Sequence, residues 1–194
     1  MVMRTRVPRP KKNASERAVA SRKKGQRGER KLAKKLEAWW GAPFDRTPRS
    51  GGLRWGIRHD VRGDVVCEDP RFPFIVEEKN RESWDLVQFL GGKGNIFKWW
   101  QQVWRDAQAV GRIPLLFIDK NYVGGYVIFK PRMLQPMMRH RPKRYLTTYM
   151  PLSDVKTLTM VSIEDFLATV DVEKCCDPSI HCFGGLTPQG DGTV

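Results

Sequence analysis

The sequence predicts an α/β fold, a mixed central β-sheet flanked by helices. Three observations predict it: a basic segment with helical apolar period, two short β-branched runs separated by turn residues, and a second amphipathic helix followed by apolar strands. The order is helix, strands, helix, strand, which builds one layered core. With 194 residues and 40% hydrophobic composition, the chain can bury one substantial core and carry one extension. The expected division is a basic flexible arm (1–22), a core (23–130), a C-terminal extension (131–183) and a flexible tail (184–194).

The first helix is expected from Gly25 to Trp40, where Leu32, Ala33, Leu36, Trp39 and Trp40 form the apolar stripe and Gly41 ends it. Glu29 lies three, four and seven residues before Leu32, Ala33 and Leu36. It therefore belongs to the core-facing stripe and not to the lysine-rich face. A carboxylate turned toward a core needs a partner. That partner is either the helix dipole at a frayed first turn or a metal shared with other acids. A polar connector, Arg46-Thr47-Pro48-Arg49-Ser50-Gly51-Gly52, follows the helix. Its glycines and donors can approach a phosphate closely, although an ordinary polar turn has the same composition.

Next comes GDVVCEDPRFPFIVEEK. Val65-Val66-Cys67 and Phe74-Ile75-Val76 read as strands, with turn chemistry from Glu68 to Pro73. Folding about Pro70-Arg71 sets Asp64 opposite Glu77, with Cβ atoms roughly 4.5–5.5 Å apart on one face. Alternation puts Lys79 on the face of Glu77 and turns Glu78 the other way. Two opposed carboxylates destabilise a sheet unless a cation lies between them. A divalent-metal site beside a lysine is the functional reading; a solvated charged hairpin is the bland one.

A second helix is expected from about Ile96 to Val110, capped by Asn95, with Ile96, Phe97, Trp100, Val103, Trp104, Ala107 and Val110 toward one side. The strands Ile113–Ile118 and Tyr126–Phe129 follow. Lys130 to Arg144 is basic and methionine-rich, suiting a DNA contact, a partner contact or an irregular loop. Ser162 with Asp165 caps a short helix within Val161–Val172.

In this order the chain resembles the PD-(D/E)XK nuclease superfamily, and within it the archaeal-type Holliday junction resolvases that some phages also carry. The resemblance covers roughly Lys24 to Ile118. It rests on KKGQRGERKLAKKLE with Glu29, RTPRSGG with Arg46 and Ser50, GDVV with Asp64, VEEK with Glu77 and Lys79, the helix with Gln101, and GRIPLLFI. Gly63 stands before Asp64 where a proline is the usual neighbour, and nothing beyond about Pro131 aligns. The resemblance implies a restriction-endonuclease-like core. It also implies that Glu29, Asp64 and Glu77 hold the metal and that Lys79 aids the attacking water, with Ser50 at the site. Hard oxygen ligands suit Mg²⁺ or Mn²⁺, and phosphodiester hydrolysis is the expected reaction.

The resemblance implies branched double-stranded DNA as the partner, and the charge independently suits a polyanion. Formal net charge is +14, and residues 1–35 hold 14 Lys or Arg against two acids, Glu16 and Glu29. Such a segment binds phosphate backbone without reading sequence. Lys23, Lys24, Arg27, Arg30, Arg46 and Arg49 are the candidate DNA contacts. Residues 1 to about 14 are expected to be disordered until bound. Paired nicks in a junction imply a homodimer, with Trp99, Trp100 and Trp104 as a candidate interface. Trp84, Trp99 and Trp104 are also candidates for stacking on unpaired bases. Other readings are a restriction-like or flap-cutting endonuclease and a non-catalytic DNA-binding protein.

No membrane span or secretory signal is expected, which favours the cytoplasm. Cys67 reads as a small buried hydrophobe. Cys175, Cys176, His181 and Cys182 are zinc-ligand types without a CxxC spacing, and reduced free thiols are the simpler reading.

Overall fold

A computed structural model of the chain describes residues 13–47, 62–80, 84–120, 124–149, 157–177 and 179. Helix α1 runs Ala14–Trp40, starting earlier than its apolar stripe. Asn13 forms a capping box with Glu16, so the helix has a defined start. It stops at Gly41, whose φ of 82° suits a residue without Cβ, with its N–H donating to the Glu37 carbonyl.

The strands are β1 (Phe44–Arg46), β2 (Val65–Cys67), β3 (Phe74–Asn80), β4 (Ile113–Lys120), β5 (Gly124–Phe129), β6 (Leu146–Tyr149) and β7 (Thr157–Ser162). They form one sheet in the order β1-β2-β3-β4-β5-β7-β6. Only β3 and β4 pair in parallel. Their crossover carries α2 (Leu86–Leu90) and α3 (Asn95–Gln108). A central parallel pair covered on both faces explains the uninterrupted apolar run of β4.

Two cores result. On one face, Leu32, Leu36 and Trp40 of α1 meet Phe74, Val76, Leu115 and Phe117. On the other, Phe97, Trp100 and Val103 of α3 meet Ile75, Leu116 and Ile118. Strand alternation assigns consecutive residues to opposite cores. At Gly28 side chains of β3 come up against α1: a Cβ there would collide with the Glu78 carboxylate and meet Asn80 Nδ2 at 3.2 Å.

Two expectations change here. Trp100 is 1% exposed, and Trp84 is 5% exposed; both rings belong to the α3-side core. Neither is available to a second subunit or an unpaired base. Trp99 and Trp104 are partly buried against the same core, and the Lys130 ammonium stands 5.0 Å from the Trp104 ring centre. The segment after Lys130 is irregular only in its second half, from Arg139; the first half is not a loop. It folds as α4 (Pro131–Leu134) and a 3₁₀ turn (Gln135–Met137), with Leu134 and Met137 buried in the α1-side core. Strand β7 then pairs with β5. Two helices end the described chain. They are α5 (Ile163–Thr169), capped by Ser162 as its spacing predicts, and α6 (Val172–Cys175). Among the described residues no helix is long and apolar enough to cross a membrane.

Burial of Leu134 is directly testable. Leu134→Ala should cost about 3 kcal/mol in urea unfolding, as for a fully buried leucine. The exposed neighbour change Arg132→Ala should stay within about 0.5 kcal/mol. Equal effects would show that this segment does not pack into the core.

Candidate active site

Strands β2 and β3 pair with Val65 opposite Val76. One step outward, that register sets Asp64 against Glu77. The turn between the strands is closed by Asp69: its backbone carbonyl accepts from Phe72 N–H at 3.1 Å, and its carboxylate binds Arg71 and Trp40 Nε1. The Arg71 guanidinium holds the Asp69 carboxyl down at about 2. Asp64 continues the ladder beyond β2, donating its N–H to the Val76 carbonyl at 2.8 Å. Gly63 makes this possible. Its φ is 86°, and a Cβ there would lie 2.5 Å from the Val76 carbonyl oxygen. A proline, with φ fixed near −65°, could not take this conformation.

Lys79 lies between the two acids. Its ammonium is paired with Glu77 Oε1 and stands 3.7 Å from Asp64 Oδ2. The same Glu77 oxygen accepts from Gln102 Nε2 of α3 at 2.8 Å. Asp64 Oδ2 also accepts from the Glu78 backbone N–H at 3.0 Å. Burial first, and then the charge of Asp64, push the Glu77 carboxyl above the ordinary carboxylate range, against the pull of Lys79. The buried Glu77 and the half-buried Asp64 thus offer two carboxylates to one ammonium. Hard oxygen donors in this state suit a divalent ion.

Glu29 and Glu78 occupy the opposite face. Glu29 is buried on α1, and its carboxylate accepts from Arg46 Nε on β1. Glu78 points at Gly28. Burial, followed by the charges of Asp64, Glu29 and Asp119, pushes its carboxyl up to about 8. Glu77, Lys79 and Gln102 therefore face α3, while Glu29 and Glu78 face α1. Asp64 sits at the strand end between them, and its charge acts on both Glu77 and Glu78. Among the described residues no three His, Cys, Asp or Glu side chains stand close enough to hold one ion.

Two contributors are not singled out by the sequence. Thr47 donates its N–H to the Asp64 carbonyl at 3.0 Å and its hydroxyl to the Gly63 carbonyl at 2.6 Å, tying residues 63 and 64 to the end of β1. Gln102 reaches the site, whereas Gln101, singled out by resemblance, is exposed. A polar residue bordering the buried Trp100–Val103 stripe is the pattern that could have pointed to it.

Lys23, Arg27 and Arg30 are exposed on α1 and Lys24 is half-buried. Arg49, Ser50, His181 and Cys182 lie outside the described residues, as do residues 1–12 of the arm and residues 184–194 of the tail. Cys67 and Cys175 are buried cysteines outside any disulfide. Burial pushes them up to about 11 and about 12, so both are neutral thiols at physiological pH.

The Glu78 environment has a measurable signature. A folded-state value above the usual 4.5 means that ionising this group opposes folding, with a penalty that grows as pH rises from 4.5 toward about 8. In chelator-treated protein, Glu78→Gln should leave the melting temperature unchanged near pH 5. Above about pH 8 it should raise it by several degrees. A melting-temperature difference that does not vary with pH would contradict this environment.

Residues 20–176 match the family described as "Phage putative PDDEXK endonuclease". Protein D14 of Escherichia phage T5 is 29% identical over 109 residues, covering 54% of this chain and 67% of D14. The solved structure of Hjc, a Holliday junction resolvase from the archaeal hyperthermophile Archaeoglobus fulgidus, aligns over 79% of this chain and all of its own length. Identity there is 15% and the TM-score 0.37, a distant likeness that says nothing about substrate. The family match takes in α1 from Ala20 onward, the strand pair with its bridging lysine and the whole of the sheet from β1 to β7, and the chain belongs to this family of PD-(D/E)XK endonucleases.

Proposed function

We propose that the chain is a metal-dependent endonuclease that cuts branched DNA, with the four-way Holliday junction as its main substrate. The observation that carries the reading is the Lys79 ammonium shared by Asp64 and Glu77 at the C-terminal end of β3. Asp64 and Glu77 are the proposed ligands for Mg²⁺ or Mn²⁺, which when bound supplies neutralisation of the phosphoryl oxygens and activates water for attack. Lys79, paired with both carboxylates, orients the water and stabilises negative charge developing on the phosphate. Gln102 holds Glu77 Oε1 in place, so the other carboxylate oxygen keeps one orientation.

Glu29 is the proposed third ligand, and its pairing with Arg46 sets the condition for that role. A DNA phosphate offers Arg46 a bidentate partner. Drawing the guanidinium onto the phosphate frees Glu29 to turn toward Asp64. Ser50 and Arg49 follow Arg46 in sequence and supply further phosphate donors, with Lys23, Lys24, Arg27 and Arg30 extending the contact along α1. Paired nicks in a junction require two sites, so a homodimer is part of the proposal. The cytoplasm is the proposed compartment.

Incubation with Mg²⁺ and labelled four-way, flap and linear duplexes tests this reading. Symmetrical nicks in the junction alone are expected; cuts at fixed sequences in linear duplex would indicate a restriction-like enzyme, and binding without cutting a non-catalytic protein. Asp64→Ala and Lys79→Ala should each lower the cleavage rate by at least about a thousandfold, with junction binding retained. Undiminished Mg²⁺-dependent cutting by Asp64→Ala would sink the assignment. Sedimentation should give a dimer, and a strict monomer on and off DNA would count against junction resolution.

A further inference from the structure

Helix α1 continues well ahead of the core it packs against. From Asn13 to Arg27 no residue is buried, and burial begins at Gly28 and Glu29. That stretch is about 20 Å of helix at 1.5 Å per residue. A helix that buries nothing is marginal by itself. Here its far end is fixed by the Asn13–Glu16 capping box, and its near end is nucleated by the packed turns from Gly28 to Trp40. The stretch contains Arg17, Arg22, Lys23, Lys24 and Arg27 against one acid, Glu16. Deeper along α1 the lysines find acids: Lys31 stands 3.8 Å from Asp119, and Lys35 lies 2.8 Å from Glu164. Arg22, Lys23, Arg27 and Arg30 make no ion pair among the described residues.

Its position in the fold gives this charge a direction. Trp39 packs on Phe74 at the start of β3, and Gly28 touches Glu78 and Asn80 at its end. The helix therefore runs antiparallel to β3, and the residues ahead of Gly28 overhang the strand end that carries Glu77 and Lys79. A neutral or basic protein surface would leave these cations unmatched. A duplex offers one negative charge per about 1.7 Å of its axis, enough to meet every one of them.

The geometry points to residues 13–27 of α1 as a preformed basic prong that lies along the phosphate backbone of duplex DNA beside the cleavage site. This rests on the nuclease reading for its substrate and adds the element that grips it. The prong positions and does not read sequence, since phosphate contacts fix register on the duplex without base information. Its rigidity separates it from a flexible basic tail: contacts made by an ordered helix cost less ordering on binding.

The test is duplex binding by the full chain in chelator, as a function of salt, so that no cleavage is needed. Lys23→Gln with Arg27→Gln should lower the slope of log affinity against log salt by about 1.8, two contacts' worth. Gln26→Pro unhooks the helix ahead of the core while removing no charge. It should lower helical content by circular dichroism, keep the melting transition and weaken binding about fivefold to tenfold. Should Gln26→Pro fail to fold, Ala18→Gly with Ala20→Gly frays the same turns at exposed or half-buried positions, and a weakening of about threefold is expected. Unchanged affinity in the helix-loosening variants, with a reduced salt slope in the charge variant, would overturn the rigid prong in favour of a loose tail. No change in either would overturn the contact altogether. Binding by the unmodified chain without Mg²⁺-dependent cutting would defeat the nuclease reading and leave the prong standing.

Discussion

Asp64 and Glu77 face each other at the end of a buried strand pair, and one ammonium keeps them there. Opposed carboxylates repel, and burial adds a cost to each ionised form. Lys79 offsets part of both. Removing it would take a cation from two partly desolvated groups, while the Gln102 amide stays on Glu77 and the Glu78 N–H on Asp64. The geometry is not set by Lys79 alone. The Val65–Val76 register brings the acids together, Gly63 gives the chain the bend that continues the ladder, and Thr47 ties the bend to β1. Several weak constraints from four segments thus converge on one charged contact, so local changes at any of them are felt at the acids.

The sheet divides the acidic residues between two compartments. Consecutive strand residues point to opposite faces, so Glu77 and Glu78 see different helices and different charges. On the α3 side, the carboxylate has an ammonium and an amide. On the α1 side, Glu78 has mainly other acids nearby, and its proton is retained into the alkaline range. Glu29 resolves the same crowding differently, through the guanidinium of Arg46. The α1 compartment thus avoids accumulating charge by protonating one acid and pairing another.

Much of this was legible in the sequence because the determinants are local. Two β-branched runs with a Pro-containing turn of known length specify a register, and the register sets Asp64 against Glu77. A 3.6-residue period separates Glu29 from the lysine face whatever the tertiary structure. What stayed hidden depends on contacts distant in sequence. Arg46 looked like a free phosphate ligand because nothing in a linear reading puts β1 beside Glu29. Trp100 looked available because an apolar helix face reads the same whether a sheet or a second subunit covers it. The Lys130 to Arg144 segment hid two core side chains, Leu134 and Met137, among basic and proline residues that mask any periodicity. The first turns of α1 were missed because they bury nothing, so the apolar pattern is silent there and only the Asn13–Glu16 spacing marks the start.

Gly28 adds a constraint of a different kind. With hydrogen as its side chain, the helix backbone settles against the Glu78 carboxylate and the Asn80 amide. A methyl group here would have to push aside the ends of those two side chains, since both close contacts are side-chain atoms. What the missing methyl preserves is therefore the placement of the Glu78 carboxylate and the Asn80 amide under the helix, one residue from the buried Glu29.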